Sequence, residues 1–390
     1  MPGSQTPLNV RALRERDFPF MDEGVYLNAA AVTPLPERTR RAVAALNERR
    51  AHVLRLSDDD LLAVAQAARA RAAALIGADA DEIALGGNTS YGINLAALSL
   101  PIPAGSTVVV SDREFPANVY PWMGRDYRLE TVPTDALGRP DEARLLERLE
   151  RGDVAAFAIS SVQFSTGYRA DLARFGHHCR ERGIFFVVDG IQSLGQIPLD
   201  VRAAHIDVLA SGGHKWLLSP FGTGFAYVRR EILQRVEPAV VGWTGMKSSA
   251  DVNSLLDYRR DFRDDARRFE VATLPFQDLA GFAASLDLLA DVGVDRVHEH
   301  LSKLLQPLAE WLVANPDVEV ASDLSPERRS AIVCFRPPSA PAVFERLGRA
   351  GIVCSLREGA IRVSPHLYNT REEIGRLIRV LDESRADGWR

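Results

Sequence analysis

The sequence is poor in lysine. Of its 47 basic residues only Lys215, Lys247 and Lys303 are lysine, and the other 44 are arginine. Arginine serves most surface roles, but its guanidinium keeps its proton and cannot act as a nucleophilic amine. Each remaining lysine is therefore a place to look for chemistry. Cysteine is scarce as well. Cys179, Cys334 and Cys354 are odd in number and far apart, which gives neither a disulfide framework nor metal-ligand spacing, so no metal site is expected. No run approaches the ~18 apolar residues of a membrane span. The first thirty residues hold no apolar signal core, so a cytoplasmic protein with no membrane partner is expected. Positive charge is not in excess: 47 basic against 52 acidic residues leave a net charge of −5. That balance argues against a nucleic-acid partner, which needs a basic surface. No GxGxxG follows a strand, and Trp216 after Lys215 breaks the GxxxxGK[ST] pattern. A nicotinamide fold and a phosphate loop are both disfavoured.

What is present is a chain of 390 residues, 46% apolar, enough for two or three domains with sizeable cores. Residues 58–76 carry apolar positions at helical spacing behind an acidic start. From 84 onward, strands and helices alternate. Strand signals fall at 107–112, 154–162, 184–190, 207–213 and 224–230, and helix signals at 141–150 and 171–183. Continuous apolar strands separated by helices predict an α/β fold with a mainly parallel sheet covered on both faces. The charged stretch 248–270 is irregular. Helices are expected at 279–293, 297–315, 341–351 and 370–385, with strands near 318–322, 331–337 and 360–366, a small α+β unit.

In parallel α/β sheets, functional groups gather past the carboxyl ends of the strands. Asn88–Thr89–Ser90, Glu114–Phe115, Gln163, Asp189 with Gln192, and Ser211 through Lys215 fall at such places. An Asp after a strand is commonly a cap, and a lysine after glycines is commonly a phosphate clamp. Together, however, Asp189 and Lys215 have a specific chemical meaning. A lysine joined to an aldehyde cofactor is both tether and proton carrier. A buried Asp beside a pyridine nitrogen keeps that ring protonated and electron-withdrawing. The cofactor with both needs is pyridoxal 5'-phosphate. Thr89 and Ser90, behind Gly86–Gly87, would offer hydroxyls and amides to its phosphate.

Six ordered motifs now carry a resemblance: GNTSYGIN (87–94), EFPANVYPW (114–122), VDGIQSLGQIPLDV (188–201), SGGHKWLLSPFGTGF (211–225), RFEVATLP (268–275) and RVSPHLYN (362–369). The chain resembles the class V aminotransferase family of fold-type I pyridoxal-phosphate enzymes, which holds cysteine desulfurases, selenocysteine lyases and isopenicillin-N-epimerase-like proteins. The resemblance implies a large domain at 31–285 with a seven-stranded-type sheet and a small α+β domain at 286–390. Residues 1–30 would join the small domain or form a lid.

It also implies roles. Lys215 would form the cofactor aldimine and move the substrate α-proton, and Asp189 would pair with the pyridinium nitrogen. Gln192 and Gln163 would face the ring hydroxyl, and Phe115 would cover the ring. Thr89, Ser90, Ser211 and His214 would hold the phosphate, and Thr273 would reach the phosphate site of the neighbouring subunit of a homodimer. Arg362 would grip the carboxylate of a small amino-acid substrate, with Arg357 and Asn28 on the same side. Desulfurases of this family usually place a histidine where Phe115 stands, and a nucleophilic cysteine on a loop before the binding arginine. Here Cys354 lies eight residues before Arg362 and reads as a buried apolar residue. A cysteine-type C–S lyase working without a protein persulfide is the expected function. A class V aminotransferase or amino-acid epimerase is the alternative, and a non-catalytic binding protein on the same fold a distant one.

Overall fold

The computed structural model describes residues 8–389 apart from 125, 252, 254 and 257. Its strands are β1 (Val25–Tyr26), β2 (Ile83–Leu85), β3 (Thr107–Ser111), β4 (Arg128–Val132), β5 (Val154–Ser160), β6 (Phe185–Asp189), β7 (Val208–Gly212), β8 (Gly224–Val228), β9 (Glu319–Val320), β10 (Val333–Arg336), β11 (Ile352–Val353), β12 (Ser355–Arg357) and β13 (Ala360–Val363). Seven of them form the central sheet in the order β2-β8-β7-β6-β5-β3-β4. The run from β7 to β4 is parallel, whereas β8 is antiparallel to both β7 and β2. The sheet is therefore mainly parallel with an antiparallel flank. β4 carries no strand signal comparable to its neighbours, because it is an edge strand whose Arg128 and Thr131 are exposed.

Alternate residues of these strands feed two apolar cores, one on each face. Val108, Val110, Ala156, Ala158, Val187 and Ala210 pack on one face against Ile93 and Ala96 of the helix Thr89–Ser99. Val109, Phe157, Ile159, Phe186, Val188 and Leu209 pack on the other. Small side chains on the first face let the helix come close. A Cβ at Gly92 would stand 2.5 Å from the Ala210 methyl, so glycine is what permits the contact.

Helix boundaries follow local chemistry. Asp141 caps Glu142–Leu149 and Asp171 caps Leu172–Arg182, each accepting a backbone N–H three residues on. Gly183 ends the second in the left-handed conformation, φ 67°. The C-terminal part forms a four-stranded antiparallel sheet, β12-β13-β10-β9, with helices Ala340–Arg349 and Arg371–Ala386. β1 pairs in parallel with β11, and Asn28 bridges Ser364, so the chain near residue 25 lies along the edge of this C-terminal unit.

Candidate active site

The parallel strands end together at one edge of the sheet. Ser160 of β5 is in register with Asp189 of β6, and Asp189 with Ala210 of β7. Asp189 is buried, and its Oδ1 accepts the Ile191 N–H at 3.0 Å. Burial pushes its carboxyl up to about 7, partly offset by that N–H and by the Lys215 charge. A cation set against it would restore the carboxylate.

Three residues beyond β7, Lys215 opens a turn closed by the Leu218 N–H. Its geometry explains the second of the two glycines that precede it. A Cβ at Gly213 would meet Thr223 Oγ1 at 2.5 Å and Ser219 Cβ at 2.8 Å. The turn is held from below: Thr33 Oγ1 donates to the Lys215 carbonyl at 2.6 Å, and the Leu218 N–H donates to the same oxygen at 2.9 Å. Leu218 takes φ 57°, a strained choice for that residue. The Lys215 amine lies 5.6 Å from the centre of the Phe115 ring. Burial, opposed by Asp189 and aided by Arg362 and Arg357, pulls its pKa down to about 8. The amine is therefore much closer to its neutral form at neutral pH than an exposed lysine is.

Phe115 is partly exposed and sets its ring edge-on to Phe164, centroids 5.3 Å apart. It follows Glu114, a fully buried carboxylate. Glu114 accepts from the Ser160 N–H and hydroxyl, from Asn118 at 3.0 Å and from Gln163 Nε2 at 2.5 Å. Gln163 thus spends its amide nitrogen on Glu114. Gln192 is engaged at both ends: Nε2 donates to the Ala30 carbonyl at 3.0 Å and Oε1 accepts from Trp216 Nε1 at 2.9 Å. In this arrangement Gln192 ties the chain at residue 30 to the Lys215 turn.

On the other side of the turn, Thr89 is the first residue of its helix and its Oγ1 accepts the Gly212 N–H at 3.0 Å. Asn88 caps the helix through the Tyr91 N–H. Ser90 is exposed. Ser211 is buried and its hydroxyl donates to the Gly212 carbonyl at 3.1 Å. The His214 ring tilts against Phe221, and burial plus the Lys215 charge lower its pKa. Thr273 is exposed on the segment before the helix Phe276–Val292.

Arg362 of β13 is buried beside Phe164. Its Nη1 donates to the Phe164 carbonyl at 2.9 Å, while the buried Nε has no partner. Burial lowers its pKa to about 10. An orphaned guanidinium N–H costs free energy unless a ligand takes it, and a carboxylate fits its fork. Asn28 Oδ1 accepts the Ser355 hydroxyl at 2.5 Å, and Arg357 is exposed at the end of β12. Cys354 lies between β11 and β12 rather than within a strand. It is buried, as are Cys179 and Cys334. Burial pushes the Cys354 and Cys334 thiols up to about 12 and raises Cys179 further.

These groups fit pyridoxal phosphate. They supply a depressed amine, a buried carboxyl wanting a cation, an aromatic face, and a helix start behind glycines that leaves amides for a phosphate. A hollow of about 620 Å³ at the opposite ends of the strands, lined by Asp207, Arg229 and Arg235 among others, holds none of them. Phe164, Ser160 and Trp216 also shape the site, through Arg362, Glu114 and Gln192 in turn. Ser160–Ser161 closing a strand was the available signal for one of them, whereas Phe164 and Trp216 become visible only through packing.

A family model for Aminotransferase class-V matches residues 25–377. A probable cysteine desulfurase of Methanothermobacter thermautotrophicus is 29% identical, over 94% of this chain and 96% of that protein. The isopenicillin N epimerase of Streptomyces clavuligerus is 30% identical, over 92% and 94%. Among solved structures, the apo cysteine desulfurase from Thermococcus onnurineus NA1 superposes with a TM-score of 0.86 at 23% identity, covering 97% of this chain and 98% of that one.

Proposed function

We propose that this chain, which belongs to the aminotransferase class-V family, is a C–S lyase that cleaves a cysteine-type substrate without using a thiol of its own. The protein is a pyridoxal-phosphate-dependent enzyme of the α/β fold shared with cysteine desulfurases. The observation that carries the finer reading is the placement of its thiols. Cys179, Cys334 and Cys354 are all buried with raised pKa values, so none is poised as a nucleophile.

The residues divide the work as follows. Lys215 would hold the cofactor, and its amine would take the proton from the substrate α-carbon. Asp189 would keep a proton on the ring nitrogen. Phe115 and the helix start at Thr89 would hold the ring face and phosphate, with Ser90, Ser211 and His214 as further phosphate-side groups and Gln163 beside the ring. Arg362 binds the α-carboxylate. When bound, pyridoxal phosphate withdraws electrons from the bonds at the α-carbon. The overall reaction would consume one water per conjugate and give a thiol, pyruvate and ammonia. Phe115 offers no proton to the departing sulfur, so Lys215 is the group placed to protonate it.

Residues 31–285 are read as the cofactor domain and 286–390 as the small domain; of the first thirty residues, 1–7 lie outside the described ones. A homodimer in which Thr273 reaches the partner's phosphate site, and a cytoplasmic setting, complete the reading. The exposure of Thr273, and of Val240 and Trp243 nearby in sequence, supports the dimer.

The 30% identical epimerase sustains a second reading, in which the α-proton returns to the same carbon. A panel of cysteine conjugates separates the two. Thiol or sulfide with pyruvate, without an α-keto acid acceptor, is the result expected. Acceptor dependence would mean a transaminase, and α-hydrogen exchange in heavy water without C–S cleavage an epimerase; either overturns the lyase.

A further inference from the structure

Arg357 ends β12, and Glu358 and Gly359, at φ 47° and 74°, close a two-residue turn into β13. The register pairs Arg357 with Ala360 and Ser355 with Arg362. Paired residues share a face, and so do residues two apart on a strand. Arg357 and Arg362 therefore stand on one face as diagonal neighbours, a spacing of roughly 7–8 Å between such positions. Glu319 of β9 and Arg336 of β10 share that face by register but are paired with each other. Ser355 is spent on Asn28, and Cys334 lies opposite Arg362 on β10.

Elsewhere arginines of this chain find acids, as Arg328 does with Glu142 and Arg148 with Glu130 and Asp153. Among the described residues no carboxylate pairs with Arg357 or Arg362, not even the adjacent Glu358. Both cations are felt at the Lys215 amine, and Arg357 is felt at Arg362 as well. Lys215 has Asp189 as its counter-charge, whereas the two arginines have no such acid among the described residues. A single α-carboxylate occupies one guanidinium fork and leaves the other unanswered.

We propose that Arg357 recognises a second anionic group, carried on the β-substituent of the substrate. The substrate class is then an amino acid whose departing sulfur bears its own acid, such as a carboxylate or sulfonate. This rests on the reading of Arg362 as the α-carboxylate site. The two-residue turn fixes the spacing of the two backbone positions, so Arg357 favours substrates that reach from Arg362 to it.

Equilibrium binding to the holoenzyme tests this without turnover. Calorimetric titration compares succinate, with two carboxylates, against butyrate, with one. Succinate is expected to bind about tenfold tighter, as a second charge-assisted pair implies. Arg357→Met should bring the ratio to near one, and Arg357→Lys should restore part of it. Arg357 is exposed, so neither replacement empties a packed site. Equal affinities in the unaltered enzyme, or a preference that survives Arg357→Met, would overturn the proposal. Because no bond is broken, a diacid preference in an enzyme that fails on every cysteine conjugate would sink the lyase reading alone.

Discussion

Lys215 and Asp189 shift toward each other: burial lowers the amine to about 8 and raises the carboxyl to about 7. The direction has a kinetic consequence. Attack on an aldehyde needs the neutral amine, whose fraction grows about tenfold per pH unit below the pKa and levels above it. Capture of pyridoxal phosphate by the apoprotein, followed by absorbance, should therefore accelerate up to about pH 8 and then flatten. An unshifted lysine would keep accelerating beyond pH 10, and that profile would contradict the placement of Lys215. The exposed Lys247 offers the contrast, since Asp264 and Asp261 hold its proton on and raise its pKa.

At the scale of elements, the site depends on how closely the helix Thr89–Ser99 sits on β7. Gly92 against Ala210 is the point of contact. Gly92→Ala should lift the helix, cost about 1–3 kcal/mol through overpacking and weaken cofactor binding as Thr89 moves from Gly212. Denaturant unfolding and cofactor titration read the two effects, and a variant as stable and as tightly loaded as the parent would contradict the packing argument. The same elements show what the sequence made legible. β3, β5, β6 and β7 are largely apolar runs, so their signal is strong; β6 ends at Asp189 and β7 three residues before Lys215. β4 is an exposed edge strand without such a run, and the reversed direction of β8 leaves no trace in its composition. The engagement of Gln192 with Ala30 and Trp216 joins residues 162 and 24 positions apart, which no local pattern encodes.

For the whole molecule, the dimer and the tether make separate claims. Sedimentation at micromolar concentration should give about twice the 42.9 kDa chain mass, and Thr273→Val should weaken cofactor retention while leaving that mass unchanged. A monomer that binds the cofactor as tightly as the unaltered chain would count against a shared site. The central claim is that a single buried amine holds the cofactor. Borohydride reduction of the yellow holoprotein, followed by peptide mass spectrometry, tests it with only three lysines to distinguish. The account predicts a pyridoxyl mass on Lys215 alone. The same mass on Lys247 or Lys303, or an unmodified Lys215 in a protein that has lost its colour, would contradict it.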